Sequence, residues 1–206
     1  MSYTPLCDIM ERHGSDKGSR NASHHNYTKL YYELFKNRRS DVLRIFELGL
    51  GTNNTKLPSN MGENGVPGAS LRGWADFFPN SLIYGADIDR EILFNTDRIT
   101  TFYCDQTNPQ SITDMWDNDC LKEGFDIIVE DGLHEFDANV CFFENSINKL
   151  KKGGIFIIED IKLTDVNRMA EMCKEWNRKF PEINADVLLI QNECNNFDNN
   201  IVIIKR

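Results

Sequence analysis

Two short apolar runs, each ending in a pair of acids, restrict this chain more than any other feature. Phe125-Asp126-Ile127-Ile128-Val129 runs into Glu130 and Asp131 and then, past Gly132 and Leu133, into His134. Ile155-Phe156-Ile157-Ile158 runs into Glu159 and Asp160. Runs this short, apolar and β-branched read as strands buried within a sheet that is covered on both faces. Open α/β sheets place their ligands just beyond the carboxyl ends of such strands. If the two strands are neighbours, their tips bring Asp131, His134, Glu159 and Asp160 into one pocket. Taken singly, Glu159-Asp160 also reads as a solvated strand end, and His134 as a backbone-bonded histidine.

The remaining segments supply the rest of such a sheet. A strand over residues 42–48 leads into Gly49-Leu50-Gly51-Thr52-Asn53-Asn54, a turn whose glycines let a ligand approach the backbone. Asn54 stands where the dinucleotide fingerprint GxGxxG has its third glycine. A long loop through Pro58, Gly62, Gly65, Pro67 and Gly68 follows, of a length usual for functional lids or disordered segments. The next helix is expected to begin near Ser70 as N-cap, with Leu71, Trp74 and Phe78 on its inner face. Strands at 82–86 and 99–103 end at Asp87 and at Cys104-Asp105-Gln106. Asp87 lies 36 positions beyond Gly51, against roughly 20 in the dinucleotide motif.

Earlier in the chain, Tyr27, Leu30, Tyr31 and Leu34 have helical spacing, and basic residues 36–39 suit that helix's negative end. The segment His13-Gly14-Ser15-Asp16-Lys17-Gly18-Ser19 reads by composition as a solvated loop, with His24 and His25 beside it and no chemistry assigned to either. After the second acid-tipped strand, Val166, Met169, Cys173 and Trp176 mark one more helix face, as Val140, Phe143, Ile147 and Leu150 mark the helix between the two. Strands at 187–190 and 201–204 close the chain. Alternating strands and helices with a terminal strand pair predict the α/β class, a Rossmann-like doubly wound, mostly parallel sheet with a C-terminal antiparallel hairpin, as one domain over residues 1–206.

Composition excludes several partners. A net charge of −9 over 206 residues argues against nucleic acid, whose phosphates need a basic face. No apolar run approaches the roughly 18–20 residues of a membrane helix, and residues 1–5 lack a signal-peptide pattern. Six cysteines at 7, 104, 120, 141, 173 and 194 form no CxxC pair. Cys104, Cys141 and Cys173 fall within apolar patterns, so buried thiols and a cytoplasmic location are expected.

Several ordered motifs now acquire a common meaning. Gly14-Ser15-Asp16-Lys17-Gly18, His25-Asn26-Tyr27-Thr28, Gly51-Thr52-Asn53-Asn54, Ser70-Leu71-Arg72-x-Trp74, Tyr84-Gly85-x-Asp87, Asp105-Gln106 and Asp131-Gly132-x-His134 together resemble the macrocin and mycinamicin sugar O-methyltransferases. That family lies within the class I S-adenosylmethionine-dependent methyltransferases. The resemblance spans about residues 12–162, with Glu130 where the usual residue is Asp and Leu133 where it is Ser.

The resemblance implies a cofactor, S-adenosylmethionine, lying over the glycine turn, with residues 1–40 covering cofactor and substrate. Asp87 is expected at the ribose, Gly49 at the methionine end and Asp105 near the adenine. Lys17, Tyr27, Glu47, Asn53, Ser70, Gln106 and Glu130 complete the implied cofactor-binding set. A divalent metal, Mg²⁺ or Mn²⁺, is implied at Asp131, Glu159 and Asp160, with His134 as general base. Carboxylates suit such hard ions. The acceptor is then a small molecule, a sugar or a sugar-containing compound, with a small phosphorylated acceptor as the alternative and an oligomeric partner as a possible contributor to specificity. A nicotinamide dehydrogenase and a non-catalytic binding module are the competing readings of the same sheet, and the incomplete glycine fingerprint counts against the first.

Overall fold

The structure is a computed structural model describing residues 3–18 and 25–206; His24 and Ser19 lie outside the described residues. Five strands run parallel: β1 (Arg44–Leu48), β2 (Leu82–Asp87), β3 (Ile99–Tyr103), β4 (Phe125–Glu130) and β5 (Leu150–Ile158). Two more, β6 (Asn184–Leu189) and β7 (Asn200–Lys205), are antiparallel to each other, and β7 also pairs antiparallel with β5. The order across the sheet is β3-β2-β1-β4-β5-β7-β6. The expected hairpin is present, but its second strand inserts between β5 and β6, leaving β6 at the edge.

Successive residues of each central strand feed opposite cores. Ile45, Ile127 and Ile157 pack with α1 (Pro5–His13), α2 (Tyr27–Phe35) and α3 (Ala69–Phe77). Phe46, Ile128, Phe156 and Ile158 pack on the other face with α4 (Pro109–Trp116), α5 (Phe136–Ser146) and α6 (Val166–Lys179). Strands apolar on both faces therefore mean what the sequence reading took them to mean, a sheet wrapped by helices on two sides. Order reverses between β1 and β4, and a crevice opens beyond their carboxyl ends, as expected at a switch point.

Several local expectations are revised. Helix α1 falls within a segment read only as a lead-in. It is started by Thr4 with Pro5 in the first turn, and Cys7 occupies the capping-box position usually held by Glu or Gln. Helix α3 is capped by Gly68, in the left-handed conformation at φ +71°, and not by Ser70. The Ser70 hydroxyl donates instead to Glu47 Oε1 inside the core. Strand β5 begins at Leu150, earlier than its apolar run, because the strand continues back through the lysines and glycines of 151–154. On α5 the fully buried aromatics are Phe142 and Phe143, with Val140 only partly covered. All six cysteines are free; Cys7, Cys104 and Cys173 are buried and Cys141 half-buried. Among the described residues no helix is long and apolar enough to cross a membrane.

Candidate active site

Hydrogen bonds continue past the strand ends and fix the site's floor. Gly49 N donates to Ala86 O (2.8 Å), Asp131 N to Leu48 O (2.9 Å) and Glu159 N to Glu130 O (2.9 Å). The tips of β2, β1, β4 and β5 are thus laced together, and Asp131 and Glu159 stand on adjacent strands, as the paired acid-tipped runs required. Gly49 has φ +88°, and a Cβ there would overlap the Asp131 carbonyl oxygen. Close approach of the β4 backbone therefore demands this glycine.

A cavity of about 190 Å³ opens above this floor. Of the residues expected to bind cofactor, Gly49, Asp87, Asp105 and Gln106 line it, together with Asp131 and His134. Asp87 Oδ2 accepts from Leu50 N (2.7 Å) and Oδ1 from Asp89 N (2.8 Å), and burial raises its pKa despite those bonds. Gln106 ties the far wall, donating to Glu130 Oε1 (3.0 Å) and accepting from Leu133 N (2.7 Å).

The other expected residues sit elsewhere. Glu47 lies beneath the floor, accepting from the Ser70 hydroxyl and the Trp74 indole N–H, with its pKa raised by burial. Glu130 is buried behind Gln106, accepting also from Gly132 N (3.2 Å), and burial pushes its carboxyl up to about 7. Lys17, expected on a solvated loop, is 1 % exposed. Its ammonium donates to Asp131 Oδ2 and to Glu159 Oε2 (2.6 Å), and lies 3.7 Å from Glu47 Oε1. Burial alone would lower its pKa, but Asp131, Glu159 and Glu47 hold it well above the ordinary value. Asn53 is exposed and outside the cavity lining.

At one end of the cavity stands a compact group of Asp131, His134 and Asp160. Each offers one ligand atom, and these atoms lie within 4.8 Å of one another. His134 Nε2 is 3.1 Å from Asp131 Oδ1, and Nδ1 is 3.3 Å from Asp160 Oδ2. Burial would lower the imidazole pKa; Asp160 and the hydrogen-bonded Asp131 instead raise it to about 10. Burial would raise the Asp131 carboxyl, yet Lys17 and His134 hold it well below the usual range. Asp160 is raised by burial against the pull of His134, and it accepts at Oδ1 from the Tyr27 hydroxyl (2.8 Å). Glu159, expected in this group, lies outside it, committed to Lys17 and to the Tyr31 hydroxyl (2.5 Å).

Some site residues escaped the sequence reading. His25 stacks on Tyr27, with ring centroids 4.7 Å apart, and its Nδ1 lies 3.5 Å from Asp160 Oδ1. Asp16, Thr52, Pro58, Ser59 and Met61 line the cavity from the N-terminal turn and the long loop. The Ser59 hydroxyl donates to Leu133 O (2.8 Å), closing the loop over the β4 tip. For Pro58, Ser59 and Met61 the one signal in the sequence was the loop's length.

This sheet order, with acids at the tips of β2 and β4 around a crevice, defines the class I methyltransferase fold. Solved structures bear this out. The MycE methyltransferase of the mycinamycin biosynthetic pathway, in complex with Mg and SAH, superposes with a TM-score of 0.72 at 20% identity, covering 99% of this chain and 55% of that one. An O-methyltransferase from Bacillus cereus in complex with SAH gives 0.61 at 11% identity, covering 100% and 93%.

No protein-family model matches the chain. Its homologues are sugar O-methyltransferases. An 8-demethyl-8-alpha-L-rhamnosyl tetracenomycin-C 2'-O-methyltransferase of Streptomyces olivaceus is 30% identical over 76% of this chain and 38% of its own length. Demethylmacrocin O-methyltransferase of Streptomyces fradiae is 33% identical over 66% and 32%. Mycinamicin VI 2''-O-methyltransferase of Micromonospora griseorubida is 34% identical over 66% and 32%. The chain is thus a relative of the macrocin and mycinamicin methyltransferases and spans about a third of the length of the curated relatives it matches.

Proposed function

We propose that the chain is a metal-dependent O-methyltransferase that moves the methyl group of S-adenosylmethionine to a hydroxyl of a sugar or sugar-containing small molecule. The observation that carries this reading is the Asp131–His134–Asp160 group, of which Asp131 and His134 line a cavity that also presents Asp87 and Asp105. The carboxylates of Asp131 and Asp160 fit a hard divalent ion, Mg²⁺ or Mn²⁺, which commonly takes one or two carboxylates and fills its other positions with water or substrate oxygens. A divalent ion bound there supplies a Lewis acid that lowers the pKa of an acceptor hydroxyl.

The chain's own residues would do the rest. Asp87 accepts hydrogen bonds from the ribose hydroxyls of the cofactor, and Asp105 and Gln106 lie toward its base. Residues 52–61 close over the methyl donor, so that water is displaced and the sulfonium faces the acceptor oxygen. S-adenosylmethionine, when bound, would supply an electrophilic methyl carbon, its sulfonium leaving as a neutral thioether as the acceptor oxygen bonds that carbon. His134, once a bound cation has displaced its own ring proton, would take the hydroxyl proton as general base. Catalysis then rests on positioning and charge stabilisation. Free thiols at all six cysteines support work in a reducing cytoplasm.

The test is methyl transfer from labelled S-adenosylmethionine to a panel of nucleotide-linked and glycoside acceptors, with EDTA and with Mg²⁺ or Mn²⁺ restored. Transfer that stops with EDTA and returns with the ion is the expected result. Failure to bind S-adenosylmethionine would refute the reading outright, and transfer only to phosphorylated non-sugars would replace the acceptor.

A further inference from the structure

From the N-terminal turn one described residue, Asp16, lines the cavity, and the proposed reaction gives it no task. Its backbone is held on both sides. Asp16 O accepts from His25 N (3.0 Å), and Lys17 O from Thr28 N (3.2 Å). The Lys17 side chain is drawn down to Asp131 and Glu159. The half-buried carboxylate of Asp16 is left at the cavity wall, with no hydrogen-bond or ion-pair partner among the described residues.

The other acids near the glycine turn are committed. Glu47, at the tip of β1, is 0% exposed and outside the cavity lining, its oxygens taken by Ser70 and Trp74. Asp131 is shared between Lys17 and His134. Asp87 accepts from Leu50 N and Asp89 N and faces the expected ribose. Asp105 Oδ1 accepts from the Thr107 N–H (2.9 Å) and hydroxyl (2.7 Å) toward the expected adenine. S-adenosylmethionine brings an α-ammonium with its amino-acid end, and an ammonium taken out of water needs a counter-charge.

Resting on the S-adenosylmethionine dependence proposed above, we propose that Asp16 binds the cofactor's α-ammonium. The N-terminal turn thus supplies the carboxylate, while the acid at the β1 tip is committed to the core. A hydrogen bond between two ionised groups is roughly twice as strong as a neutral one. Because the contact is to the amino group and not to the adenosine, it separates S-adenosyl amino acids from other adenosine thioethers.

The test is calorimetry on the full chain with three ligands: S-adenosylhomocysteine, its analogue with hydrogen in place of the α-amino group, and methylthioadenosine. S-adenosylhomocysteine has a neutral sulfur, so the ammonium is its only cation. Asp16→Asn should weaken its binding at least about tenfold. The same variant should bind the deamino analogue and methylthioadenosine within about threefold of the unmodified chain, or more tightly, since a repelling carboxylate is gone. A loss below about tenfold for S-adenosylhomocysteine, or an equal loss for all three ligands, would overturn the proposal; the second result would leave Asp16 a structural residue of the turn. Should Asp16→Asn not fold, Asp16→Ser is read by the same criteria. If the unmodified chain binds neither S-adenosylhomocysteine nor methylthioadenosine, the methyltransferase reading itself falls. Binding of both with no change in the variant overturns this inference alone.

Discussion

Binding of a divalent ion to the metal-free protein should release one proton, from His134. The imidazole lies between Asp131 and Asp160, and those carboxylates raise its pKa to about 10 against the opposing effect of burial. At neutral pH it is an imidazolium holding the ground that the ion needs. Three pH units separate 7 from 10, and each unit is worth about 1.4 kcal/mol, so the proton opposes the ion by up to about 4 kcal/mol at pH 7. The His134 side chain is 24% exposed, and solvent screening makes that an upper figure. Apparent affinity for Mn²⁺ should therefore rise by up to about tenfold per pH unit between 7 and 9. Calorimetry in two buffers of different ionisation enthalpy, at one pH, measures the released proton directly. His134→Asn should abolish both the release and the pH slope. Affinity independent of pH, with no buffer dependence of the enthalpy, would refute the reasoning. The same shift sets a stability window: a raised histidine pKa stabilises the fold fully below about 6.5 and ceases to do so as pH rises through about 10, so the metal-free melting temperature should fall across that range.

Other perturbations have equally defined outcomes. Asp87→Ala removes the proposed acceptor for two ribose hydroxyls, each hydrogen bond worth about 0.5–1.5 kcal/mol, and titration calorimetry should show S-adenosylmethionine affinity reduced accordingly; unchanged affinity would remove Asp87 from the cofactor site. Glu130→Gln deletes a buried carboxyl whose pKa is raised to about 7. The native carboxyl keeps its proton between about pH 4.5 and 7 while the unfolded one loses it, so unmodified stability falls over that interval. In urea denaturation the variant should match the unmodified chain near pH 4 and exceed it at pH 8 by about 1–3 kcal/mol. Gly49→Ala places a side chain against the Asp131 carbonyl at φ +88°. It should lower stability by at least about 1–2 kcal/mol and weaken Mn²⁺ binding by displacing Asp131, both measurable on the purified variant. Residues 52–68 should be cleaved by protease more slowly with S-adenosylhomocysteine present, because Pro58, Ser59 and Met61 line the cavity it would fill.

The sequence made the sheet legible because its strands answer to a local rule. Ile99–Tyr103 begins and ends where its pattern does, and the acid tips of β4 and β5 fall side by side because adjacent parallel strands end in register. Other features answer to no local rule. Helix α1 lacked the expected signature because Cys7 fills the place of a capping Glu or Gln. The turn holding Lys17 has the composition of a solvated loop, and partners distant in sequence, Glu47, Asp131 and Glu159, surround its ammonium. His25 gives no hint of Asp160 for the same reason. That Asp160 faces His134 while Glu159 faces Lys17 and Tyr31 was illegible in a further sense. Neighbouring residues leaving a strand point to opposite sides, and which one meets the His134 ring depends on a backbone turn that the side-chain pattern does not encode.

That turn is itself informative. Among the described residues three that are not glycine have positive φ: Ser59, His134 and Asp160. All three border the candidate site, two as members of the metal-capable group and one through its hydroxyl on Leu133 O. A left-handed conformation in such residues costs on the order of 1–3 kcal/mol each and persists only where surrounding contacts enforce it. Here the enforcing contacts are identifiable: the Tyr27 hydroxyl accepts from Asp160 N (3.3 Å) and donates to its Oδ1, while Asp131 and Asp160 grip both nitrogens of the His134 ring. Glycine at 134 or 160 would relieve the strain and lose the ligand atom with it. Strain concentrated on the residues whose side chains converge fits a centre held open for an ion better than it fits a solvated strand end, where nothing would oppose relaxation.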